Sequence, residues 1–235
     1  MSSPIPENEK ARLEALHNYR ILDTAPEQAY DDIVALAAFI CGTPIAIMSL
    51  VDRDRQWFKS KVGLAADATP RDQAFCAYTI LRPELLEVED ATNDERFQKN
   101  PLVLGEPGIR FYAGAPLLNT DGHSLGSVCV IDRKPHKLSA DQKIALQRLA
   151  RLVMKNLELR RISDQLATAV NNVKTLSGLL PICSACKRVR DDDGYWQQVE
   201  VYVKDHTDAS FTHGMCPKCA EIYFPGLAPR ASSGE

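Results

Sequence analysis

The strongest constraint on the fold is a pair of apolar, strand-length runs joined by a tight turn. The runs IRFYAGAPLLN and LGSVCVID are separated by TDGHS, in which Asp121-Gly122 is a strong signal for a β-hairpin. A second hairpin is predicted from PIAIMSLVD, residues 44–52, and RQWFKSK, residues 55–61. With LLEVEDA as a further short strand, the sequence predicts a largely antiparallel sheet.

Helical patterns flank these strands. Residues 9–22 carry apolar side chains at every third or fourth position, and a second helix is predicted from Pro26, which suits a first turn, to Gly42, which fits a C-terminal cap. A further helix is predicted around DQAFCAYTIL. We therefore expect an α+β fold in which helices flank the sheet.

A long helix follows the predicted sheet. Ser139 and Gln142 fit a capping box, and neither Gly nor Pro occurs again before Gly178. A heptad seam runs along its second half through Leu159, Ile162, Leu166, Ala169, Val173, Leu176 and Leu180. A helix of roughly forty residues spans ~60 Å, more than a small domain can bury. Residues 159–180 are therefore predicted to form a coiled-coil connector in a homodimer; the alternative is an amphipathic helix that packs on its own domain.

Charge and hydropathy exclude several classes of partner. The net charge is −3, and from residue 181 onward six basic residues stand against eight acidic ones, so a nucleic-acid partner is not expected. The N-terminal residues MSSPIPENEKARLE resemble neither a signal peptide nor a transit peptide. No apolar run approaches the ~18 residues of a membrane span. We expect a cytoplasmic protein without a membrane partner.

Two Cys-x-x-Cys pairs lie close to the C-terminus. Cys183 and Cys186 are separated by 29 residues from Cys216 and Cys219, and four thiolates in such pairs are typical of structural Zn²⁺ sites. A module of ~50 residues has too small a core to fold by apolar burial alone, which also favours a metal. We expect a zinc module at residues 181–226 and a disordered tail at 227–235. His213 is an alternative ligand; a redox switch and free thiols are the alternative states of the cysteines.

The aromatic residues of this module are predicted to form its small core around the zinc site. They are Tyr195, Trp196 and Phe211. The alternative is a partner-binding surface that includes Phe211 and Tyr202.

Several ordered motifs resemble a known family. The segment RLEALHNYRILDTAPEQAYDDIVALAAFICGTPIAIMSLVDRDRQWFKSKVGL is followed by TPRDQAFCAYTI, VEDATNDERFQKNPLV, IRFYAGAPL and GSVCVIDRKPHKLS. Together they resemble the GAF domains at the front of bacterial sensor proteins, over about residues 8–160. The resemblance implies a central antiparallel sheet of five or six strands in a domain at residues 1–158, dimerisation through the terminal helices, and sensing of a small molecule, a chromophore or a redox signal. The C-terminal segment resembles a cysteine module appended to bacterial GAF, PAS and receiver domains, whose role is undefined.

The resemblance also implies a ligand cavity beside the helix that contains Cys76. The candidate lining residues are Trp57, Phe75, Cys76, Tyr78, Phe111 and Tyr112, and ordinary core packing is the alternative for each. Cys41 and Cys129 lie in apolar runs and are predicted to be inert core residues. The cyclic-nucleotide signature is not present in order and no Cys-His pair marks a bilin site, so the ligand is not identified.

These features predict a non-enzymatic bacterial signal-transduction protein. The GAF domain would sense a small molecule or a redox signal and relay it through a dimeric helix to the zinc module, which would bind a protein partner. One alternative is a thiol-dependent enzyme similar to free methionine sulfoxide reductases, which use a cysteine nucleophile and a resolving thiol; Cys76 and Cys129 lie in broadly comparable regions of this chain. Another is a redox switch at the zinc thiolates. Signatures of kinase, cyclase or nucleotide-binding domains are not found in the sequence.

Overall fold

The computed structural model describes residues 4–172, 180–191, 194–207 and 209–225. The chain forms two compact units, Met1–Gln165 and Leu166–Glu235. The predicted tail at 227–235 and the seam positions Val173 and Leu176 lie outside the described residues.

The first unit is built on a six-stranded sheet. Its strands are β1 (Ile45–Val51), β2 (Arg55–Val62), β3 (Ala68–Pro70), β4 (Leu86–Val88), β5 (Phe111–Leu118) and β6 (Ser124–Asp132). The strand order is β3-β2-β1-β6-β5-β4, and every neighbouring pair is antiparallel. The predicted α+β class and antiparallel sheet are confirmed, and so are both predicted hairpins.

The turn between β5 and β6 shows why Asp-Gly was informative. Gly122 has a φ of 82°, which a residue without a Cβ adopts at little cost. The Asn119 side chain accepts hydrogen bonds from the backbone N–H groups of Asp121 and His123, at 3.1 and 2.7 Å. The turn is therefore closed by its own polar residues, as expected for a solvent-exposed hairpin loop.

Helices cover both faces of the sheet. The first unit contains α1 (Glu9–Asn18), α2 (Gln28–Cys41), α3 (Cys76–Thr79), α4 (Pro101–Leu104) and the start of α5 (Ala140–Asn172). The helix predicted around Cys76 is shorter than expected, because Ala74, with φ −77° and ψ 121°, separates α3 from a single 3-10 turn at Arg71–Gln73. The short β3 and α4 were not predicted.

Both predicted helix ends are observed. Gly42 follows α2 with a φ of 65° and donates its N–H to the Phe39 carbonyl, which forms the expected left-handed cap. At the start of α5 the backbone N–H of Gln142 donates to Ser139 Oγ at 3.2 Å, and Ser139 N–H donates to Gln142 Oε1 at 2.9 Å. This is the reciprocal pair of a capping box.

The sheet separates two apolar cores. One lies against α1, α2 and the first half of α5, and includes Leu16, Val34, Met48, Phe111 and Leu157. The other lies on the opposite face, beneath α3 and α4, and includes Ile47, Phe75, Phe97, Tyr112 and Ile131. Because side chains alternate along a strand, neighbours such as Phe111 and Tyr112 point into different cores.

The helix α5 changes character along its length. Its first half buries Leu146, Val153 and Leu157 in the first core. Leu159 and Ile162 are then 66% and 50% exposed. Farther along the seam Leu166 and Ala169 are exposed as well, so the apolar seam begins where packing against the sheet domain ends.

The second unit is a small assembly of short elements. It contains a hairpin of β7 (Val189–Arg190) and β8 (Trp196–Gln197), followed by α6 (Val199–His206) and α7 (Pro217–Tyr223). The predicted aromatic core is wrong: Tyr195, Trp196 and Phe211 are 74%, 48% and 48% exposed. Strands of two residues bury little surface, and among the described residues of this unit those that are buried are Val189 and Tyr202.

Candidate functional site

A cavity of about 490 Å³ lies on the α3 face of the sheet. Most of its wall is apolar and comes from strands β1, β2 and β6 and from the loops beside α4; the apolar residues include Ile45, Ile47, Phe58, Leu64, Leu102 and Ile109. Polar atoms come from Gln56, Thr69, Cys76, Tyr112 and Cys129. A largely apolar cavity with a few convergent polar groups is the usual form of a small-molecule site.

A group of polar side chains, called the polar group below, is positioned around Cys76 by the central strands. Its members are Ser49, Gln56, Cys76, Tyr112, Ser127 and Cys129. Ser49 of β1 stands directly opposite Ser127 of β6 in the antiparallel register, and Cys129 stands opposite Ile47. Residues two apart on a strand share a face, so Ser127 and Cys129 both point toward α3. Gln56 of β2 and Tyr112 of β5 add to the same face.

Four hydrogen-bond donors converge on the sulfur of Cys76, the first residue of α3. Gln56 Nε2 and Ser127 Oγ each lie 3.0 Å from Cys76 Sγ, Ser49 Oγ lies at 3.2 Å and the Tyr112 hydroxyl at 3.3 Å. A further hydrogen bond joins the two thiols, with Cys76 Sγ as donor and Cys129 Sγ as acceptor at 3.8 Å. All of these side chains are buried. A neutral thiol is a weak acceptor, so a set of donors of this size suits a thiolate.

The electrostatics of the group agree with this geometry. Burial raises the pKa of the Cys76 thiol, but the hydrogen bonds from its neighbours outweigh burial and lower that pKa from the ordinary 9.0 to about 6. The hydrogen bond to Cys76 raises the pKa of Cys129, and burial raises the pKa of Tyr112. The geometry and these pKa shifts are consistent with one thiolate at Cys76 that accepts hydrogen bonds from neutral neighbours.

The six predicted lining residues are divided between the two faces of the sheet. Phe75, Cys76 and Tyr112 lie at the cavity wall. Tyr78 packs behind it, edge-on to Phe97 at 4.8 Å between ring centroids. Trp57 and Phe111 lie in the core on the opposite face, because strand alternation turns them away, so neither contributes to the cavity.

The sequence did not predict the polar side chains that contact Cys76. Ser49, Gln56 and Ser127 were included in strand runs whose apolar character was the signal, and Cys129 was expected to be inert. A polar residue inside an otherwise apolar strand, as Ser49 is in IAIMSLV, was the available indication. Cys41 packs in the other core as expected, and burial raises its pKa to about 11.

The C-terminal cysteines are described as two separate pairs. Backbone hydrogen bonding within the Cys183–Cys186 turn lowers the pKa of Cys183, and that within the Cys216–Cys219 turn lowers the pKa of Cys216. Among the residues with a described position, no three His, Cys, Asp or Glu side chains are grouped so that they could hold a metal ion. The four-cysteine zinc site therefore stays a prediction, and the arrangement of the pairs does not by itself form it.

The sequence predicted no membrane-spanning segment, and the helices of the structure can be compared with that prediction. Within the part of the chain that the structure describes, no helix combines the length and apolar character needed to cross a bilayer.

Comparison with known proteins identifies the first unit. The GAF domain family matches residues 25–157. The chain is also 44% identical over 162 residues to a protein of Pseudomonas aeruginosa named cyclic di-GMP phosphodiesterase PA2567. That match covers 68% of this chain and 28% of the relative, so the chain spans less than a third of the length of the relative.

Solved structures with a similar chain path are more distant. A free methionine-R-sulfoxide reductase from Neisseria meningitidis is 17% identical, with a TM-score of 0.48, 69% of this chain covered and 98% of the other. The GAF domain of a phosphoenolpyruvate-protein phosphotransferase from Coxiella burnetii is 16% identical, with a TM-score of 0.48 and coverage of 69% and 97%. At these levels of similarity neither structure says anything about the activity of this chain.

The ionisation of Cys76 gives a pH prediction. The parent chain should show a thiolate absorbance that is missing in Cys76→Ser. We expect this absorbance to titrate with a midpoint near pH 6 rather than near 9. Between these values the unfolded chain binds a proton at Cys76 and the folded chain does not, so the stability contributed by Cys76 rises with pH and is lost as the pH falls through about 6. Urea unfolding of both chains across this interval measures that contribution.

The matched control for this titration is Cys41→Ser. Cys41 is equally buried but has no thiolate near neutral pH, so its removal should change neither the absorbance nor the pH dependence of stability between pH 6 and 9. A Cys76→Ser chain whose stability differs from the parent chain by the same amount at every pH in this interval would contradict the assignment of a thiolate.

Proposed function

Because this chain belongs to the GAF domain family, we propose that it is a non-enzymatic sensory part of a bacterial signal-transduction protein. The main observation in support of this proposal is the cavity beside Cys76, which combines an apolar wall with one buried group of hydrogen-bonding side chains. An apolar wall favours the body of a small ligand through burial of its surface. The polar group gives that ligand a single orientation.

The size and lining of the cavity restrict the ligand. A volume of about 490 Å³ falls within the usual range for small-molecule sites. Glu106 and Arg133 are the charged residues among its lining residues, and Arg133 already donates to the Pro107 carbonyl at 3.0 Å. We infer a mainly apolar molecule with one polar group rather than a multiply charged nucleotide.

A buried ionic network supports transmission from the sheet to the long helix. Lys59 of β2 has a fully buried ammonium group that donates to Glu27 at 2.7 Å, and the same Glu27 oxygen accepts from Arg160 of α5. The strand that carries Lys59 also carries Gln56, which contacts Cys76. Lys59 also donates to Thr24 Oγ1 at 2.8 Å and to the Ala25 carbonyl at 2.6 Å. A change at the cavity that shifts β2 would therefore alter the contacts of Glu27 with Lys59 and Arg160, because a buried ammonium group cannot replace its partners with water.

The output of this arrangement is proposed to be a homodimer. An apolar stripe on α5 is exposed to solvent and consists of Leu159, Ile162 and Leu166. Its heptad spacing is the one that a parallel helical partner requires. The C-terminal module would then present a protein-binding surface. Structural Zn²⁺ held by the four cysteines would fix that surface, and zinc binding would require the two described pairs to come together.

The thiol-dependent enzyme is retained as a second candidate function. It is favoured by the buried Cys76, with a second thiol 3.8 Å away at Cys129. The phosphodiesterase activity in the name of the Pseudomonas relative concerns a protein of which this chain covers 28%. We propose a related signalling context from that relative, not its catalytic activity.

The ligand proposal predicts a bound small molecule. We expect native mass spectrometry of the chain, purified from its own host, to show a non-covalent adduct. Ile109→Phe should reduce the adduct because Ile109 is buried at the cavity wall. Leu104→Phe adds the same ring at a residue that is 73% exposed and should leave it unchanged. A chain that carries no adduct, and that no member of a small-molecule library protects from thermal unfolding, would contradict the proposal.

The dimer proposal predicts a change of mass in solution. We expect the parent chain to have the mass of two copies in size-exclusion chromatography with light scattering. Ile162→Glu should convert it to one copy, because a charge in a coiled-coil seam is strongly unfavourable. Gln165→Glu changes an exposed residue outside the seam and serves as the control. A parent chain that is monomeric at micromolar concentration would overturn the proposal.

The zinc proposal predicts a metal content. We expect about one zinc ion per chain by elemental analysis, with substantial loss of the metal in both Cys183→Ser and Cys216→Ser, since a structural site uses all four thiolates. Cys41→Ser, which alters a cysteine of the first unit, should retain the metal. Equal zinc content in all of these chains, or none in the parent, would contradict the four-cysteine zinc site.

A further inference from the structure

Two thiols meet at the cavity wall in a way that core packing does not require. Cys76 Sγ and Cys129 Sγ lie 3.8 Å apart, and both residues line the cavity. Cys76 does not pack only against apolar atoms, since Ser127 Oγ and Gln56 Nε2 contact its sulfur. Inert buried cysteines sit among apolar neighbours, as Cys41 does in this chain.

We propose that Cys76 and Cys129 form a peroxide-reactive pair, in which a hydroperoxide that enters the cavity oxidises Cys76 and Cys129 then closes a disulfide. This rests on the proposed sensory function and names the chemical class of one signal. The site is a modification site inside the cavity. It is separate from the four cysteines of the second unit.

The surroundings of Cys76 prepare its sulfur for the first step. Reaction with a peroxide requires the thiolate. Four donors from the strands beside α3 converge on this sulfur, and a buried anion persists only where such donors replace water. Cys76 also lines the cavity, and the proposed reaction requires a hydroperoxide to approach its buried sulfur from that side.

The reaction balances with the hydroperoxide as the only added reagent. The Cys76 thiolate attacks one peroxide oxygen, the O–O bond breaks, and the sulfur becomes a sulfenic acid while the released alkoxide or hydroxide takes up a proton. The Cys129 sulfur then attacks the Cys76 sulfur. An S–S bond forms, the S–O bond breaks, and the Cys129 proton leaves with the hydroxyl as water. The two thiols lose two electrons and the peroxide gains them.

The second step needs only a small movement. A disulfide has an S–S length of about 2.05 Å, so the sulfurs must approach by roughly 2 Å. Cys129 lies in β6, which is hydrogen-bonded to β1 on one side and to β5 on the other. Cys76 begins a helix of four residues that follows the extended Ala74. We therefore expect α3 to move toward the sheet rather than β6 to leave it.

Disulfide formation would change the interior of the sheet. The anionic acceptor of Ser49, Ser127 and Gln56 would be replaced by a neutral sulfur that accepts hydrogen bonds poorly. These donors belong to β1, β6 and β2. Buried polar groups left without a good acceptor are costly, so the three strands would adjust around the cavity. Oxidation and ligand binding would thus act on the same part of the fold.

Peptide mapping of the full chain tests the pair. The folded, reduced protein is treated with hydrogen peroxide, its remaining thiols are alkylated under denaturing conditions, and it is digested with trypsin. We expect a cross-linked peptide that joins Cys76 to Cys129, formed at least about tenfold faster than any oxidation of Cys41, whose pKa burial raises. In Cys129→Ser we expect the sulfenic acid to persist at Cys76, where dimedone captures it.

The contrary results are equally specific. Full alkylation of both Cys76 and Cys129 after peroxide treatment, in a chain whose circular dichroism shows it folded, would overturn the pair. So would dimedone capture at Cys76 with no cross-link in the parent chain. If Cys129→Ser does not fold, the map of the parent chain alone decides.

The outcome is independent of the ligand test. A folded chain that carries a small-molecule adduct but forms no Cys76–Cys129 cross-link retains the proposed sensory function and loses the redox pair. A chain that forms the cross-link, carries no adduct and is protected by no member of the library retains the pair and loses the small-molecule proposal. The control Cys41→Ser should form the cross-link at the rate of the parent chain.

Discussion

The pairing of β1 with β6 is the constraint on which the rest of the first unit depends. It runs from Ile45 opposite Ile131 to Leu50 opposite Gly126. A Cβ at Gly126 would lie 2.0 Å from the carbonyl oxygen of Ser49, so the close approach of these strands requires a glycine at that position. The same register sets Ser49 beside Ser127, and so it creates the polar group beneath α3.

The sheet that this pairing holds has two unlike faces. One face is covered by packed helices, and buried ion pairs stabilise its edges. There, burial raises the pKa of Glu9, but hydrogen bonds from Arg12 and Arg71 outweigh it and lower the pKa to about 2. The other face leaves a cavity because the short α3 and α4 cover it incompletely. A dense face gives the domain its stability, and the open face leaves room for chemistry.

The two faces are connected through β2. Gln56 reaches the sulfur of Cys76 on the cavity side, and three residues later Lys59 reaches Glu27 on the helical side. Glu27 is shared with Arg160 of α5. A signal received as a bound molecule or as an oxidised thiol would therefore act on one strand that contacts both the site and the long helix.

Much of this architecture was predictable from local patterns. The hairpin at Asp121-Gly122, the cap at Gly42 and the capping box at Ser139 depend on neighbours in sequence, and each was found as expected. The aromatic core of the second unit was not, because the hairpin strands there are too short to bury Trp196. The short α4 was also missed, since helices of one turn carry no periodic signal.

The sequence by itself determined the hairpins and the start of the long helix, because these follow from residue type and spacing along the chain. The family of the first unit was indicated by the resemblance of its motifs. The sequence also marked Cys76 as a candidate, through the resemblance. Only the tertiary structure decided which side of the sheet each aromatic residue faces and which donors surround that cysteine. Ser49, Gln56, Tyr112 and Ser127 belong to four strands that register and strand order bring to one sulfur atom. Such convergence depends on contacts between distant segments, and no local pattern encodes it.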